Sequence, residues 1–230
     1  ALALRIVFRG FKVGFKVPSY ASLIHQLKEG WYIFISTMAI SLYAVSNTFI
    51  LGIFTNNTIV GYYSGAEKII KAVQGVLSPI SQTIYPHISK LASESKDQAL
   101  RFIRKMTFLV GGGSFVLSLI VFVFADTIVR ILLGSQYLES VVILRILAFI
   151  PFIVGLATVY ANMFLLGFGY IKKWSRLIII SSTLDIILVI FFVGIASLGN
   201  IGVSICWVLT EICVLILSNL EYRRYLYAHW

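Results

Sequence analysis

The sequence predicts an all-α polytopic membrane protein with six transmembrane helices. Its 230 residues are 59% hydrophobic and only 12% charged, whereas soluble domains average about 25% charged residues. The apolar residues form runs of about 20, the length that an α-helix needs to cross a hydrocarbon layer of ~30 Å. In addition, Lys and Arg fall in every second connection between these runs.

The distribution of basic residues predicts how the chain is oriented in the membrane. Connections rich in Lys and Arg alternate with connections that have none, or only Arg130. Because basic loops stay in the cytoplasm, six spans place both ends of this segment on the cytoplasmic side. The net charge of +10 is therefore assigned to membrane orientation and not to nucleic-acid binding. The residues concerned are Arg5, Arg9, Lys12, Lys16 and Lys28; Lys90, Lys96, Arg101, Arg104 and Lys105; Lys172, Lys173 and Arg176; and Arg223 and Arg224.

The spans divide the chain into three parts. Residues 1–30 are predicted to be a cytoplasmic linker with a short interfacial helix ending near Gly30, and the first residues have the pattern of the end of a preceding span. Residues 31–220 form the six-helix part, and residues 221–230 form a cytoplasmic tail. The predicted spans are 31–54, 60–91, 106–125, 138–166, 177–196 and a sixth that follows a turn at 199–202 and ends near Leu220.

Three local signals refine this picture. Pro79 and Pro86 each remove a backbone donor from the second span and favour a kink there. Three consecutive glycines at 111–113 predict close contact with a neighbouring helix. Residues 126–134 have the pattern of a short interfacial piece between the third and fourth spans.

The second span carries a stripe of polar residues. They recur at intervals of three and four, so they share one face of a helix. A charged side chain near the bilayer centre costs roughly 3 kcal/mol, so such a face must contact protein or a water-filled cavity. The stripe therefore predicts the wall of a polar passage. Its members are Ser64, Glu67, Lys71, Gln74, Ser78, Ser81 and Tyr85.

The cations near this stripe are candidates for binding an anionic substrate. Lys68 and Lys71 lie well inside the span. A lysine can avoid the cost of a charge in the hydrocarbon by extending its ammonium to the interface, which is easier for Lys68 than for Lys71. The alternative for Lys71 is an ion pair with Glu67, four residues earlier on the same face. For Arg145, in the outer third of the fourth span, substrate contact and a structural anchor are both open.

Two acids lie near the middle of later spans. Asp185 and Glu211 are candidates for coupling to a proton or cation, because an intramembrane carboxylate changes charge with access. The alternative is a static ion pair with a Lys or Arg of a neighbouring helix. Ser36, Tyr43 and Asn47 share a face of the first span, where helix–helix hydrogen bonds are expected.

The sequence lacks the marks of an enzyme. It has no Gly-rich phosphate loop, no HExxH motif and no nucleophile elbow, and no metal-type spacing of Cys or His. No catalytic residue, bound metal or organic cofactor is expected, although an H⁺ or Na⁺ gradient remains a candidate energy source. A glycan polymerase or ligase would need a large outer loop, which these residues do not provide.

Several segments resemble the C-terminal half of polysaccharide flippases, the O-antigen and lipid-linked oligosaccharide translocases of the multidrug/oligosaccharidyl-lipid/polysaccharide exporter superfamily. The resemblance covers nearly the whole chain and is clearest in residues 46–91, 124–153 and 199–212. Its most specific parts are Ile50-Leu51-Gly52, Val60-Gly61-Tyr62-Tyr63, Glu67-Lys68, Pro79 and Leu144-Arg145-Ile146-Leu147.

The resemblance implies one lobe of a two-lobe, alternating-access transporter in a bacterial inner membrane, with a missing N-terminal lobe as its partner. It implies an undecaprenyl-pyrophosphate-linked oligosaccharide as substrate, turned from the cytoplasmic to the periplasmic leaflet for surface polysaccharide synthesis. Many such proteins carry an acid where this chain has Asn47, which weakens the case for ion coupling through the first span. The alternative is a drug/cation antiporter of the same superfamily. The implied cavity residues are Ser64, Glu67, Lys68, Lys71, Gln74 and Arg145.

Overall fold

A computed structural model describes residues 19–228, with side chains throughout except at positions 25, 29, 44, 80 and 81. The predicted linker at 1–18 and residues 229–230 lie outside this range. Within it the chain is almost entirely helical and has no strand. The helices are α1 (Tyr20–Phe54), α2 (Asn57–Glu94), α3 (Lys96–Val123), α4 (Ala125–Leu132), a 3₁₀ turn (Ser135–Tyr137), α5 (Ser140–Leu147), α6 (Ile150–Thr158) continued by a π-helix (Val159–Leu166), α7 (Ile171–Val189) continued by a π-helix (Ile190–Ile195), and α8 (Gly199–Ala228).

Five helical segments of the described range are long and apolar enough to cross a membrane. They agree with five of the six predicted spans and make the chain a multi-pass, all-α membrane protein. The striped helix α2 is longer than any of them, but its polar face gives it too low a hydropathy to join them, so its crossing remains a prediction. The five segments are Tyr20–Phe54, Lys96–Val123, Ser140–Leu166, Ile171–Ile195 and Gly199–Ala228.

The first helix differs from its prediction. The expected interfacial helix does not end near Gly30, because α1 continues without a break from Tyr20 to Phe54. The side chain of Ser19 caps its start by accepting a hydrogen bond from the Ser22 amide at 3.3 Å. A single glycine costs a helix only about 1 kcal/mol, which the long flanking segments outweigh. At 1.5 Å per residue, α1 is about 52 Å long and exceeds the hydrocarbon thickness.

The two prolines do not break α2, and the predicted turn before α8 is present but shifted. Helix α2 runs through both Pro79 and Pro86, and the Thr83 hydroxyl donates to the Pro79 carbonyl at 2.8 Å. This is the ordinary i to i−4 bond of a helical threonine, whereas the carbonyls that the two prolines leave without a backbone donor are those of Gly75 and Gln82. The predicted turn at 199–202 is instead at 196–198, where Ser197 has φ +53°, and the predicted tail is helical as far as Ala228.

Close helix contact through the glycine run is confirmed at one of its three positions. A Cβ on Gly111 would lie 2.8 Å from the Leu156 side chain, whereas Gly112 and Gly113 have nothing within 4 Å. The contact is reciprocal, because a Cβ on Gly155 would lie 2.6 Å from the hydroxyl of Ser114. Helices α3 and α6 therefore approach closely through small residues on both sides.

The bundle has two apolar cores, one at each end. One end is called the basic end here. At this end Lys172 lies over the ring of Tyr32, and Lys173 pairs with Glu221. The core of the basic end contains, among others, Ile103, Phe164, Trp174 and Tyr222. The core at the opposite end contains Leu51, Tyr63, Ile70, Leu144, Val189 and Trp207 among others. Between the two cores, in sequence order along α1, α7 and α8, lie buried polar residues. The candidate site described below consists of the polar stripe on α2 and this buried polar layer.

Candidate functional site

The polar stripe of α2 begins inside the bundle and becomes exposed toward the basic end. Tyr63, Glu67 and Lys71 follow one another at four-residue intervals and so share a face. Tyr63 is fully buried, and the Glu67 side chain is 12% exposed, while that of Lys71 is 49% exposed. The Lys71 ammonium lies 2.7 Å from the Glu67 carboxylate. The local pairing considered from the sequence is thus present, and it leaves half of the Lys71 side chain open.

The neighbouring stripe residues extend this open face. Lys68 and Ser78 are exposed, and Ser64 and Gln74 are partly buried. Lys68 has no ion-pair partner among the described side chains. Ser81 belongs to the same stripe, but its side chain lies outside the described set. The face therefore combines two cations with hydroxyl and amide groups.

Arg145 does not join the stripe. It is exposed on α5 and lies within electrostatic range of Asp126 on α4. Asp126 is itself paired with Arg130 at 2.7 Å, and the hydrogen bond from Arg130 lowers the pKa of the Asp126 carboxyl. Arg145 is therefore an exposed cation near the charges of α4, and its role stays a prediction.

The two intramembrane acids lie in one buried polar cluster between α1, α7 and α8. The Thr210 hydroxyl donates to Asp185 Oδ1 at 2.8 Å. The Trp207 indole N–H and the Tyr43 hydroxyl both donate to Glu211 Oε1, at 3.3 and 3.4 Å. Glu211 also lies within electrostatic range of Asp185. Among the described side chains, the donors to these acids are neutral, so each carboxylate is held by dipoles and not by a cation.

The expected alternative of a static ion pair is not found for either acid in the described part of the chain. Several buried polar atoms there also lack any hydrogen-bond partner. Asp185 Oδ2 and Asn47 Oδ1 are two of them, and the Asn47 side chain lies next to Asp185. Unpartnered buried polar groups are costly, so this layer holds two acceptor oxygens, Asp185 Oδ2 and Asn47 Oδ1, that are incompletely satisfied.

Tyr63 connects this cluster with the stripe. Its buried hydroxyl has no hydrogen-bond partner among the described groups. It lies within electrostatic range of Glu67 on one side and of Asp185 and Tyr43 on the other. The structure thus brings Glu67 and Lys71 together, brings Asp185 and Glu211 together, and places Tyr63 between the two pairs.

Some of these residues were not singled out as site residues from the sequence. On α8, Thr210 directly precedes Glu211 and Trp207 lies one turn before it. On α2, Tyr63 lies one turn before Glu67. A weak signal existed, since Tyr63 and Trp207 both fall in segments that carry the family resemblance. Hydrogen bonding by the polar face of the first span is confirmed, because the Ser36 hydroxyl donates to that of Ser175 at 2.7 Å.

The chain is similar to a known protein family and to two curated proteins. Residues 1–92 match the family described as "Polysaccharide biosynthesis protein". A protein of Escherichia coli (strain K12) named "Putative O-antigen transporter" is 34% identical over 215 residues, which are 93% of this chain and 51% of that protein. The resemblance to polysaccharide transporters is confirmed. A protein of Shigella dysenteriae with the same name is 27% identical over 200 residues, or 85% of this chain and 48% of that protein.

The chain spans about half the length of these two curated relatives. Both carry the name of a transporter, in agreement with the expectation of a polysaccharide transporter and not an enzyme. No solved structure gives a significant match to this chain.

Proposed function

We propose that this chain is one lobe of an alternating-access transporter that moves an undecaprenyl-pyrophosphate-linked oligosaccharide from the cytoplasmic to the periplasmic leaflet of a bacterial inner membrane. The second lobe would be the N-terminal half of the same protein. This proposal is supported by the names of the relatives and by the chemistry of the stripe. Lys68 and Lys71 suit a pyrophosphate, and the hydroxyl and amide groups beside them suit sugars.

The observation that carries the proposal is the exposure of Lys71 deep along α2. It lies 14 residues after Asn57, which corresponds to about 21 Å along a helix in a hydrocarbon layer of ~30 Å. An ammonium facing acyl chains at that depth costs roughly 3 kcal/mol. A covering surface of protein or water removes this cost, and a central cavity between two lobes provides one.

We propose further that the buried acid cluster couples transport to an H⁺ or Na⁺ gradient. Asp185, whose Oδ2 is buried without a hydrogen-bond partner, is the primary ligand in this scheme, and Glu211 is a second acid close by. A cation or proton there changes the charge next to Tyr63 and, through Tyr63, next to Glu67. The strength of the Glu67–Lys71 ion pair then depends on whether a proton or cation is bound at Asp185. This dependence links ion binding to the substrate-binding face of α2.

The drug/cation antiporter is the second candidate, and the two buried acids are what favour it. Its substrates are cations, for which an acidic cavity is the natural complement. The described open face instead carries Lys68 and a half-exposed Lys71, while the acids lie in the interior. This arrangement of charge favours an anionic substrate over a cationic one.

The test replaces Lys71 with Ala in the full-length protein of a strain that lacks the chromosomal copy. Loss of one charged contact to a phosphate is expected to reduce surface polysaccharide about tenfold, with lipid-linked oligosaccharide accumulating inside. The measurements are surface polysaccharide by immunoblot and the lipid-linked intermediate by mass spectrometry, at matched membrane abundance. Lys71→Arg is expected to retain most of the export.

Lys90→Ala is the matched control. Lys90 lies on the same helix and also pairs with a Glu four residues away, at 3.8 Å from Glu94, but it lies outside the stripe. Normal export is expected from this variant. Equal export from Lys71→Ala and Lys90→Ala would contradict the substrate role, and resistance to cationic drugs that depends on the protein would favour the antiporter.

A further inference from the structure

A groove of the described range lies at the basic end, between the start of α1 and the turn that leads into α7. Its volume is about 840 Å³. Gly169, with φ +79°, forms the turn, a backbone conformation that glycine adopts without strain. This turn brings Tyr170 and the first residues of α7 against α1. The groove is separate from both the stripe and the buried acid cluster.

Among the described side chains, three lysines and no acid line this groove: Lys28, Lys172 and Lys173. Lys173 is already paired with Glu221 at 2.7 Å. Lys172 lies over the ring of Tyr32, with its ammonium 5.6 Å from the ring centre. Neither Lys28 nor Lys172 has an ion-pair partner among the described side chains. The groove therefore has two uncompensated cations facing the same space.

The remaining lining is aromatic and aliphatic. Trp31, Tyr32 and Tyr170 contribute rings, and Leu27 and Ile171 contribute apolar surface. Trp31 and Tyr32 also begin the apolar run of α1, which is the level of lipid headgroups at a membrane interface. A basic pocket between transmembrane helices at that level has the chemistry to bind anionic headgroups.

A second, mainly apolar cavity lies farther along α1 than this groove. Its volume is about 440 Å³, and it is lined by Phe34, Met38, Leu42, Val45 and Phe49, among others. These residues recur at three- and four-residue intervals and form one face. A molecule that filled both cavities would have an anionic head at the basic end and an apolar chain directed toward the bilayer centre.

We propose that this composite groove binds an anionic phospholipid of the leaflet at the basic end, the side that the positive-inside pattern assigns to the cytoplasm. Its phosphate lies between Lys28 and Lys172, and one acyl chain follows the apolar face of α1. The rings of Trp31 and Tyr32 pack against the glycerol region. This assignment does not depend on which substrate the transporter carries.

The experiment measures lipid retention by native mass spectrometry on the full-length protein purified in detergent. Phosphatidylglycerol, phosphatidylethanolamine and inorganic phosphate are titrated separately. The protein is expected to retain phosphatidylglycerol in preference to phosphatidylethanolamine, and inorganic phosphate is not expected to displace it. In the double variant Lys28→Ala/Lys172→Ala, the apparent affinity for phosphatidylglycerol is expected to fall about tenfold.

Lys96→Ala/Lys105→Ala is the matched control, because it removes the same charge from exposed lysines that do not line the groove. Its affinity is expected to stay within about twofold, since exposed charges at a distance are screened. Leu27→Trp keeps every charge but fills the groove from an exposed position, and it is also expected to weaken binding. Thermal unfolding of each variant confirms that it is folded.

Three results would overturn the assignment. Equal loss in the groove and control variants would show that only the net charge matters. Displacement of the lipid by inorganic phosphate would show a site for small anions. Stronger retention of a polyprenyl pyrophosphate than of phosphatidylglycerol would assign the groove to the transported lipid.

Discussion

Asp185 and Glu211 lie in the same buried layer but are satisfied to different degrees. Glu211 Oε1 accepts hydrogen bonds from two side chains, Trp207 and Tyr43. Asp185 accepts from Thr210 through one oxygen, while its other oxygen has no partner in the described structure. A buried acceptor left without a donor costs about 1–3 kcal/mol. Asp185 therefore keeps one buried oxygen, Oδ2, that a bound proton or cation would satisfy.

Replacement of Asp185 with Asn tests this difference. Asn keeps the shape and the acceptor for Thr210 but removes the charge, so the dependence of transport on an imposed H⁺ or Na⁺ gradient is expected to fall about tenfold. The measurement is uptake of labelled lipid-linked oligosaccharide into vesicles that contain the full-length protein, with and without each gradient. Asp126→Asn, which removes an exposed acid of α4, should leave the dependence unchanged. Full gradient dependence in the Asp185 variant would contradict the coupling role.

Residue pairs differ in how far the sequence predicts them. The Glu67–Lys71 pair follows from a four-residue spacing on one helix, which is local information. The contact between Tyr43 and Glu211 joins residues 168 positions apart, and periodicity does not say which spans are neighbours. Tyr63 has the pattern of an ordinary core residue, so its position between the two charged groups follows only from the packing.

The helices were predicted better than their ends. Apolar runs define a span because its interior must be apolar, and the five helices that meet that requirement all lie where the sequence places them. The ends depend on weaker effects. Gly30, Pro79 and Pro86 each carry a local preference against helix, and in each case continuous hydrogen bonding on both sides outweighs it.

The contact between α3 and α6 gives a stability prediction at the scale of helices. Gly155→Ala would place a methyl group 2.6 Å from the Ser114 hydroxyl, and such overpacking typically costs about 1–3 kcal/mol. Gly113→Ala is the control, because a methyl group there meets nothing within 4 Å. The expected result is a lower midpoint of thermal unfolding in detergent for the Gly155 variant alone. Equal midpoints for the two variants would mean that these helices are not closely packed.

At the scale of the whole molecule, the interior is layered from one end to the other. An apolar core occupies each end, and the buried acids lie between them in α7 and α8. The two cores hold the helices in place on both sides of the acid cluster, so the cluster can be polar and incompletely paired without loss of the fold.

The orientation of the bundle is a separate prediction. The positive-inside pattern places the connection between α2 and α3 in the cytoplasm and the connection between α4 and α5 outside. In a cysteine-free form of the full-length protein, Gln136→Cys is expected to react with a membrane-impermeant maleimide on intact spheroplasts. Gln98→Cys is expected to react only after permeabilisation. Both residues are exposed, so the reverse pattern of labelling would invert the proposed orientation.

The unbroken length of α1 has a mechanical consequence. The same straight element carries Lys28 and Trp31 of the basic-end groove and, farther along, Tyr43 and Asn47 of the acid layer. A rod of about 52 Å that tilts by about 10° shifts one end relative to the other by about 9 Å. A tilt of α1 that moves its end at Lys28 and Trp31 therefore also moves the Tyr43 hydroxyl, which donates to Glu211. A lipid bound at that end would oppose the tilt.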